Sequence, residues 1–334
     1  MKRFYAIGEA LIDFIPTQRE TPLKDVTGFE PQVGGAPCNV AAAVQKLGGN
    51  SHLITQVGED AFGDKIIETL QAVEVDTSHI LTTKEANTAL AFVSLSNDGE
   101  RDFSFYRKPS ADMLYEVENI DTIELQQGDL VHFCSVALVD SPMKRAHVTL
   151  LDKAEQVGAT IVFDPNVRLP LWDDHDVYYE TLQAFLPRAH VVKVSDEELS
   201  FVTRQDDEAE ALKSLFVGNV QAVIYTKGSR GASLIFEDGS TIEVPTPPAQ
   251  VVDTTGAGDA FIGAISAKLC QSEQQPIETL RQHGRDILKF AHQVSGRVVS
   301  QYGAISSLPT LEENLKAIYR IKKPISRIGG RLAF

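Results

Sequence analysis

The chain is poor in cysteine and tryptophan and lacks the patterns of several common protein classes. Its three cysteines, Cys38, Cys134 and Cys270, show no metal-binding spacing, so we expect reduced thiols in a cytoplasmic protein. No apolar run reaches the roughly 18–20 residues of a transmembrane helix. The first residues do not form a signal-peptide pattern, and no histidine pair has the HxxxH spacing of a zinc site.

Positive charge is also scarce, because 31 Lys and Arg residues stand against 46 Asp and Glu residues, for a net charge of −15. We therefore expect neither a nucleic-acid partner nor a membrane partner. An anionic ligand would need local helix dipoles or a metal ion to overcome this field. Neither G-x-x-x-x-G-K-[ST] nor GxGxxG occurs, which excludes a Walker A loop and disfavours a dehydrogenase.

Strand and helix patterns alternate along most of the chain. The order β-α-β-α spans Phe4 to Glu74, and buried strand candidates follow at 130–133, 160–163, 191–194 and 222–226. This alternation predicts an α/β fold with a central, mostly parallel sheet flanked by helices. Because no linker or repeat interrupts it, we expect one domain over residues 1–334.

Two segments, 15–33 and 88–107, break this alternation. The first has three prolines and no helical period, and the second reads as a β-hairpin turning at Asn97-Asp98-Gly99. The hairpin's alternating apolar residues include Leu90, Phe92, Phe103 and Phe105. A two-stranded ribbon cannot bury such a face alone. We expect the two segments to form a small lid over a site, with a surface for a homodimer.

The strongest functional signal is VDTTGAGDAFIGAIS, Val252–Ser266. Gly256, Ala257 and Gly258 stand where a loop becomes a helix, so their N–H groups can approach an anion at the positive end of the helix dipole. Asp259 follows directly and suits a general base that accepts a proton from an attacking hydroxyl. The alternative is a tight turn with a capping aspartate.

Two other stretches carry polar groups suited to a ligand. TKGSRG, Thr226–Gly231, follows a strand, where open α/β sheets bind ligands, although it could be a plain turn. Asp13 ends the first strand region, and GGAPCN, Gly34–Asn39, begins a helix. Their carboxylate, carboxamide and glycines suit a polyol. The alternative is that Asp13 ends a strand and Asn39 caps a helix.

Together these stretches resemble the ribokinase-like (phosphofructokinase-B type) carbohydrate kinases. Both family signatures are present, as GGAPCNVAAAVQKLGGNSHLITQVG (Gly34–Gly58) and DTTGAGDAFIGAIS (Asp253–Ser266). The resemblance extends from Gly8 to about Pro309. The stretches most similar to the fructokinase branch are GEALIDFIP (Gly8–Pro16), FYRKPSAD (Phe105–Asp112) and FDPNVRLPLW (Phe163–Trp172). Kinases of 2-keto-3-deoxygluconate and of aminoimidazole riboside share parts of them and remain alternatives.

The resemblance implies a ribokinase-like fold with a β-sheet lid and an enzyme that transfers phosphate from ATP with Mg²⁺ to a sugar, expected to be O6 of D-fructose. It implies that Asp259 is the base and that the amides of Gly256, Ala257 and Gly258 form the anion hole. The positions implied for the sugar are Asp13, Gly34, Gly35, Asn39, Arg107, Arg168 and Asp259. Those implied for the nucleotide are Thr226, Lys227, Gly228, Gly231, Gly256, Gly258 and His292.

The resemblance also implies metal positions. The family's Asn-x-x-Glu magnesium motif appears as Ser195-Asp196-Glu197-Glu198, so Glu198 is retained and the asparagine is replaced. A serine can still hold a water, which suits Mg²⁺ bound through a water shell. Many members bind K⁺ at the positions of Asp253, Thr255, Ser300, Gly303 and Ser307. The alternative outside this class is a non-catalytic sugar or nucleotide sensor, which would have no use for the base at Asp259.

Overall fold

The computed structural model describes residues 1–18, 20–95 and 101–322, which form two sheets and the helices around them. The strands are β1 (Arg3–Ile7), β2 (Leu11–Pro16), β3 (Phe29–Gly34), β4 (Asn50–Gly58), β5 (Ile80–Thr83), β6 (Ala89–Leu95), β7 (Arg101–Tyr106), β8 (Leu130–Cys134), β9 (Thr160–Asp164), β10 (Val191–Ser195), β11 (Ala222–Thr226), β12 (Ala232–Phe236) and β13 (Thr241–Val244). The helices are α1 (Ala36–Lys46), α2 (Ala61–Ala72), α3 (Pro142–Val157), α4 (His175–Phe185), α5 (Leu199–Thr203), α6 (Glu208–Ser214), α7 (Ala257–Gln271), α8 (Pro276–Val298) and α9 (Leu311–Lys322).

The large sheet has the order β13-β12-β11-β10-β9-β8-β1-β4-β5. The strands from β11 across to β5 pair in parallel, and β12 and β13 add an antiparallel edge. Helices cover both faces, which explains why the central strands are apolar without alternation. This confirms the predicted mostly parallel α/β sheet. The carboxyl ends of β1, β9, β10 and β11 meet at one edge and present Asp164, Ser195 and Thr226 there.

Helices α1 and α7 pack closely on one face of this sheet because both are rich in small residues. A Cβ added at Gly263 would lie 2.5 Å from the Cβ of Ala43, so only glycine permits this approach. α1 begins after Gly35, whose φ is 99°, and α7 begins after Gly256, whose φ is 73°. The packing brings the first turns of the two helices together.

The small sheet has the order β3-β2-β6-β7 and contains parts of both segments that break the α/β alternation. One prediction about it was wrong. The register pairs Phe92 with Ser104 and Ala91 with Phe105, so Phe92 and Phe105 point to opposite faces rather than sharing one. Phe92 stacks on Phe14 with ring centroids 4.6 Å apart. The predicted turn at 97–99 and the side chain of Phe103 lie outside the described residues.

Two further findings concern the wider molecule. No helix within the described ranges combines the length and apolar content needed to cross a membrane. The thiols of Cys38, Cys134 and Cys270 are all free and buried.

Candidate active site

A cavity of about 450 Å³ lies between the small sheet and the carboxyl edge of the large sheet. The small sheet contributes Leu11, Asp13, Ile15, Val93 and Phe105 to its wall. Because Leu11, Asp13 and Ile15 alternate along β2, they share one face of that strand. The opposite wall carries Gly256, Gly258 and Asp259 from the start of α7.

Two amide side chains hold the Asp259 carboxylate. Asn39 Nδ2 donates to Oδ2 at 2.9 Å, and Asn166 Nδ2 donates to Oδ1 at 3.4 Å. Burial raises the pKa of Asp259, while the bond from Asn39 and the charges of Arg168 and Lys193 oppose this rise. The result is an oriented carboxylate with an elevated proton affinity, as a general base requires.

The N–H groups predicted for the anion hole differ in their partners. The Ala257 N–H donates to the Thr254 carbonyl at 3.2 Å. Across the described part of the chain, the N–H groups of Gly256 and Gly258 have no hydrogen-bond acceptor. Those two amides are therefore available to an anion at the helix N-terminus.

Glycines at 34 and 35 place the predicted sugar-binding residues. A Cβ at Gly34 would lie 2.0 Å from Asp13 Oδ2, so a side chain there would displace the carboxylate. Gly35 has φ of 99°, and a Cβ there would lie 2.5 Å from the Glu9 carbonyl oxygen. Gly35 lines the cavity together with Asp13 and Asn39, and Gly34 directly precedes it in the chain.

The two predicted arginines are placed differently. Arg168 lines the cavity, and its Nη1 donates to the Val167 carbonyl at 2.9 Å. Arg107 is buried outside the cavity lining, where it pairs with Asp112 and donates Nη1 to the Val136 carbonyl at 3.1 Å. As the structure stands, Arg107 joins the end of β7 to the main body of the protein.

Of the predicted nucleotide residues, Gly256 and Gly258 line this cavity, whereas the loop of Thr226–Gly231 and His292 lie outside its lining. Thr226 ends β11, and the loop through Lys227 and Gly228 returns at Gly231, where φ is 114°. Thr246 Oγ1 donates to the Gly228 carbonyl at 2.8 Å and lies 3.3 Å from His292 Nδ1. One threonine therefore joins the loop to the helix that carries His292.

The predicted metal residues form two separate groups. Glu198 lines the cavity and accepts from Val167 N at 2.7 Å and from Ser195 Oγ at 2.7 Å. Asp253 accepts from Thr255 Oγ1 at 2.7 Å and from Gly303 N at 3.3 Å, which confines one carboxylate between two loops. The hydroxyls of Ser300 and Ser307 donate to nearby carbonyls.

No group of three or more His, Cys, Asp or Glu side chains in the described ranges could hold a metal ion. One carboxylate, that of Glu198, is nevertheless enough for Mg²⁺, which commonly keeps several waters and binds substrate phosphates.

Several polar residues at or near the cavity were not predicted from the sequence, among them Lys193, Asp164, Asn166 and Glu9. Lys193 Nζ pairs with Asp164 at 3.0 Å, and Asn166 contacts Asp259. Glu9 Oε1 accepts from Ala36 N at 3.1 Å, and burial raises the pKa of Glu9 to about 7. The lysine had a visible signal, because it interrupts the otherwise apolar strand VVKVS.

Comparisons with known proteins show which family this chain belongs to. Residues 1–311 match the sequence pattern of the family described as pfkB family carbohydrate kinase. Fructokinase-2 of Zea mays is 38% identical over 310 residues, covering 92% of this chain and 91% of that protein. The chain belongs to the pfkB family of carbohydrate kinases.

Two solved structures have a fold similar to that of this chain. Fructokinase from Xylella fastidiosa with bound ATP has a TM-score of 0.83 and 32% identity, covering 96% of this chain and 99% of that one. A double mutant of fructokinase from Vibrio cholerae O395, bound to fructose, ADP and potassium ion, has a TM-score of 0.86 and 30% identity, covering 97% and 99%. The predicted ribokinase-like fold is thereby confirmed.

Proposed function

We propose that this protein is a fructokinase, which transfers the γ-phosphoryl group of ATP to O6 of D-fructose. The observation that carries the proposal is the Asp259 carboxylate, which Asn39 and Asn166 hold at the start of α7 inside a cavity that Asp13 also lines. The relatives described above are fructokinases, which disfavours 2-keto-3-deoxygluconate or aminoimidazole riboside as the acceptor. A non-catalytic sensor would not need the held base.

In the proposed reaction, the sugar O6 attacks the γ-phosphorus and its proton passes to Asp259. A new O6–P bond forms as the bond from phosphorus to the β,γ-bridging oxygen breaks, and ADP leaves with that electron pair. The N–H groups of Gly256 and Gly258 face the negative charge on the transferring group. The N–H of Ala257 would join them after breaking its hydrogen bond to the Thr254 carbonyl.

Asp13, Gly34, Gly35 and Asn39 are proposed to hold the sugar beside this base. Arg168 would face the sugar or the transferring phosphate, since it already lines the cavity. Arg107 would need to leave Asp112 to reach either one, so we assign it to the support of the sugar site.

The nucleotide base is proposed to lie beside His292 and the loop of Thr226, Lys227, Gly228 and Gly231, which Thr246 joins. Mg²⁺ would bind through waters near Glu198 and neutralise charge on the phosphates when present. Asp253, Thr255, Ser300, Gly303 and Ser307 are the residues proposed for K⁺, and Asp253, Thr255 and Gly303 already meet.

The small sheet is proposed to act as a lid on a single domain spanning residues 1–334. Its inner face contributes to the cavity, while Tyr106 on the outer face is exposed. Tyr106 and Phe92 on that outer face form the surface we propose for a homodimer, next to Phe14, whose ring packs on Phe62 of α2. The buried reduced cysteines suit the cytoplasm.

The Asp259→Asn variant tests the proposed chemistry. We expect kcat for fructose phosphorylation to fall by roughly 10²–10⁴-fold, because general base catalysis is lost while binding contacts persist. Steady-state kinetics and calorimetry with fructose and ATP would measure both effects. Asp64→Asn is a matched control, since Asp64 is an exposed aspartate in the first turn of α2. An Asp259→Asn protein that keeps more than about a tenth of kcat would refute the assignment.

A further inference from the structure

Lys193 is a buried cation beneath the candidate anion hole. It lies on β10, on the same side of the strand as Ser195, and it lines the cavity with only 6% of its surface exposed. A Cβ added at Gly258 would lie 3.3 Å from Lys193 Nζ. The ammonium group therefore adjoins a glycine of the candidate anion hole that also lines the cavity.

The ammonium group also has hydrogen-bonding capacity to spare. Its Nζ contacts Asp164 Oδ1 at 3.2 Å and Oδ2 at 3.0 Å. Lysine has three N–H donors, and one carboxylate is its sole acceptor among the described residues. At least one donor is left for a group that enters the cavity, and a buried donor without an acceptor is costly.

The charges around the cavity indicate what the Lys193 ammonium group could bind. The lining contains Glu9, Asp13, Glu197, Glu198 and Asp259. Within the described lining, the cations that oppose these carboxylates are Arg168 and Lys193. A nucleotide triphosphate brings further negative charge into this field, so a fixed cation near its terminal phosphate would offset strong repulsion.

We propose that Lys193 is a further catalytic residue, whose Nζ donates to the γ-phosphoryl group of ATP during its transfer while Asp164 holds the side chain in place. This inference rests on the proposed phosphoryl transfer. It assigns Asp164 a positioning role, because that carboxylate fixes the ammonium group against the end of β9. If Lys193 binds the γ-phosphate, its removal should weaken the binding of ATP more than the binding of ADP. A lysine with only a structural role would not produce this difference.

The test compares the wild type with D164N and D164N/K193Q. D164N keeps the lysine and offers it a neutral acceptor, whereas the double variant removes both charges and leaves no unpaired ion in the interior. Calorimetry would measure the Kd of ADP and of a non-hydrolysable ATP analogue, and kinetics with fructose would measure kcat. Thermal unfolding would verify that each protein is folded.

We expect the double variant to bind the ATP analogue about 10-fold or more weakly than D164N, with ADP affinity changed by less than about 3-fold. Its kcat should fall by about 10- to 100-fold relative to D164N. Equal analogue affinity and equal kcat in D164N and D164N/K193Q would overturn the proposal, as would an equal loss of ADP and analogue binding.

A ternary crystal structure of the wild type with fructose and the ATP analogue provides a test that needs no variant. Lys193 Nζ should lie about 3 Å from a γ-phosphate oxygen. A separation above about 6 Å would overturn the assignment, because no hydrogen bond spans it. If the wild type does not phosphorylate fructose at all, the proposed function fails, and the comparison of ADP with the analogue still decides the role of Lys193.

Discussion

At the scale of single residues, close approaches to the backbone determine where the polar groups of the cavity lie. Asp13 occupies the space that any side chain at position 34 would need. Asp259 is aimed by Asn39, which belongs to a different helix. Because such contacts join residues far apart in sequence, the replacement of Gly34 would displace the carboxylate proposed to bind the sugar at Asp13.

The sequence singled out Asp259 and Asn39 because they stand in glycine-rich turns. It singled out Asp13 as the end of the first strand region, whereas Asp13 lies within the separate strand β2. It did not predict Lys193 or Glu9, because their roles depend on which residues surround them in the folded chain. A lysine in a strand gives no sign of the aspartate that neutralises it, since Asp164 lies on the neighbouring strand. Arg107 shows the same limit, because its contact with Asp112 and its place outside the cavity lining become visible only in three dimensions.

Glu9 gives a pH-dependent prediction for stability. Burial raises its pKa to about 7 from an ordinary value of 4.5. Between these two pH values the carboxyl group of Glu9 is therefore protonated in the folded protein and ionised in the unfolded chain. Stability from this group is therefore present at low pH and lost as the pH rises through 7. We expect Glu9→Gln to gain about 2 kcal/mol in unfolding free energy relative to wild type between pH 5 and pH 8.

Urea unfolding at the two pH values measures this gain. Glu273→Gln, at an exposed position, should show none and controls for the general effect of losing a negative charge. The same wild-type difference for Glu9→Gln at both pH values would contradict the raised pKa.

At the scale of elements, the alternating pattern was enough to predict the parallel strands of the large sheet other than β5, but it gave no register for the small sheet. β5 was not predicted, because its four residues are only partly buried and carry little apolar signal. The faces of the β6–β7 hairpin were assigned incorrectly, because the pairing of Ala91 with Phe105 depends on the turn.

The lid assignment predicts a change in hydrogen exchange. Amides of β6 and β7 should exchange more slowly when fructose and a non-hydrolysable ATP analogue are both bound, since closure over the cavity would shield these strands. Helix α3, none of whose residues line the cavity or belong to the proposed nucleotide site, serves as an internal control. Sedimentation velocity under the same conditions would separate closure from dimer formation. Unchanged exchange in β6 and β7, with both ligands bound, would exclude a closing lid.

At the scale of the whole molecule, a chain with net charge −15 is proposed to bind a polyanion. Local features reconcile the two, namely the free amides at the start of α7, Arg168, and Lys193 in the cavity floor. The parallel sheet brings these groups together, because the carboxyl ends of its strands share one edge. The fold thus gathers N–H donors and two cations for an anion at one site on an acidic protein.

The central claim is that this site transfers phosphate to O6 of fructose, and a comparison of acceptors tests it most directly. The purified chain would be assayed with ATP, Mg²⁺ and either D-fructose, 2-keto-3-deoxygluconate or aminoimidazole riboside, and phosphorus NMR would locate the new phosphate. We predict the highest kcat/KM for fructose and a product phosphorylated at O6. A higher kcat/KM for either alternative, or phosphate on another oxygen of fructose, would contradict the account.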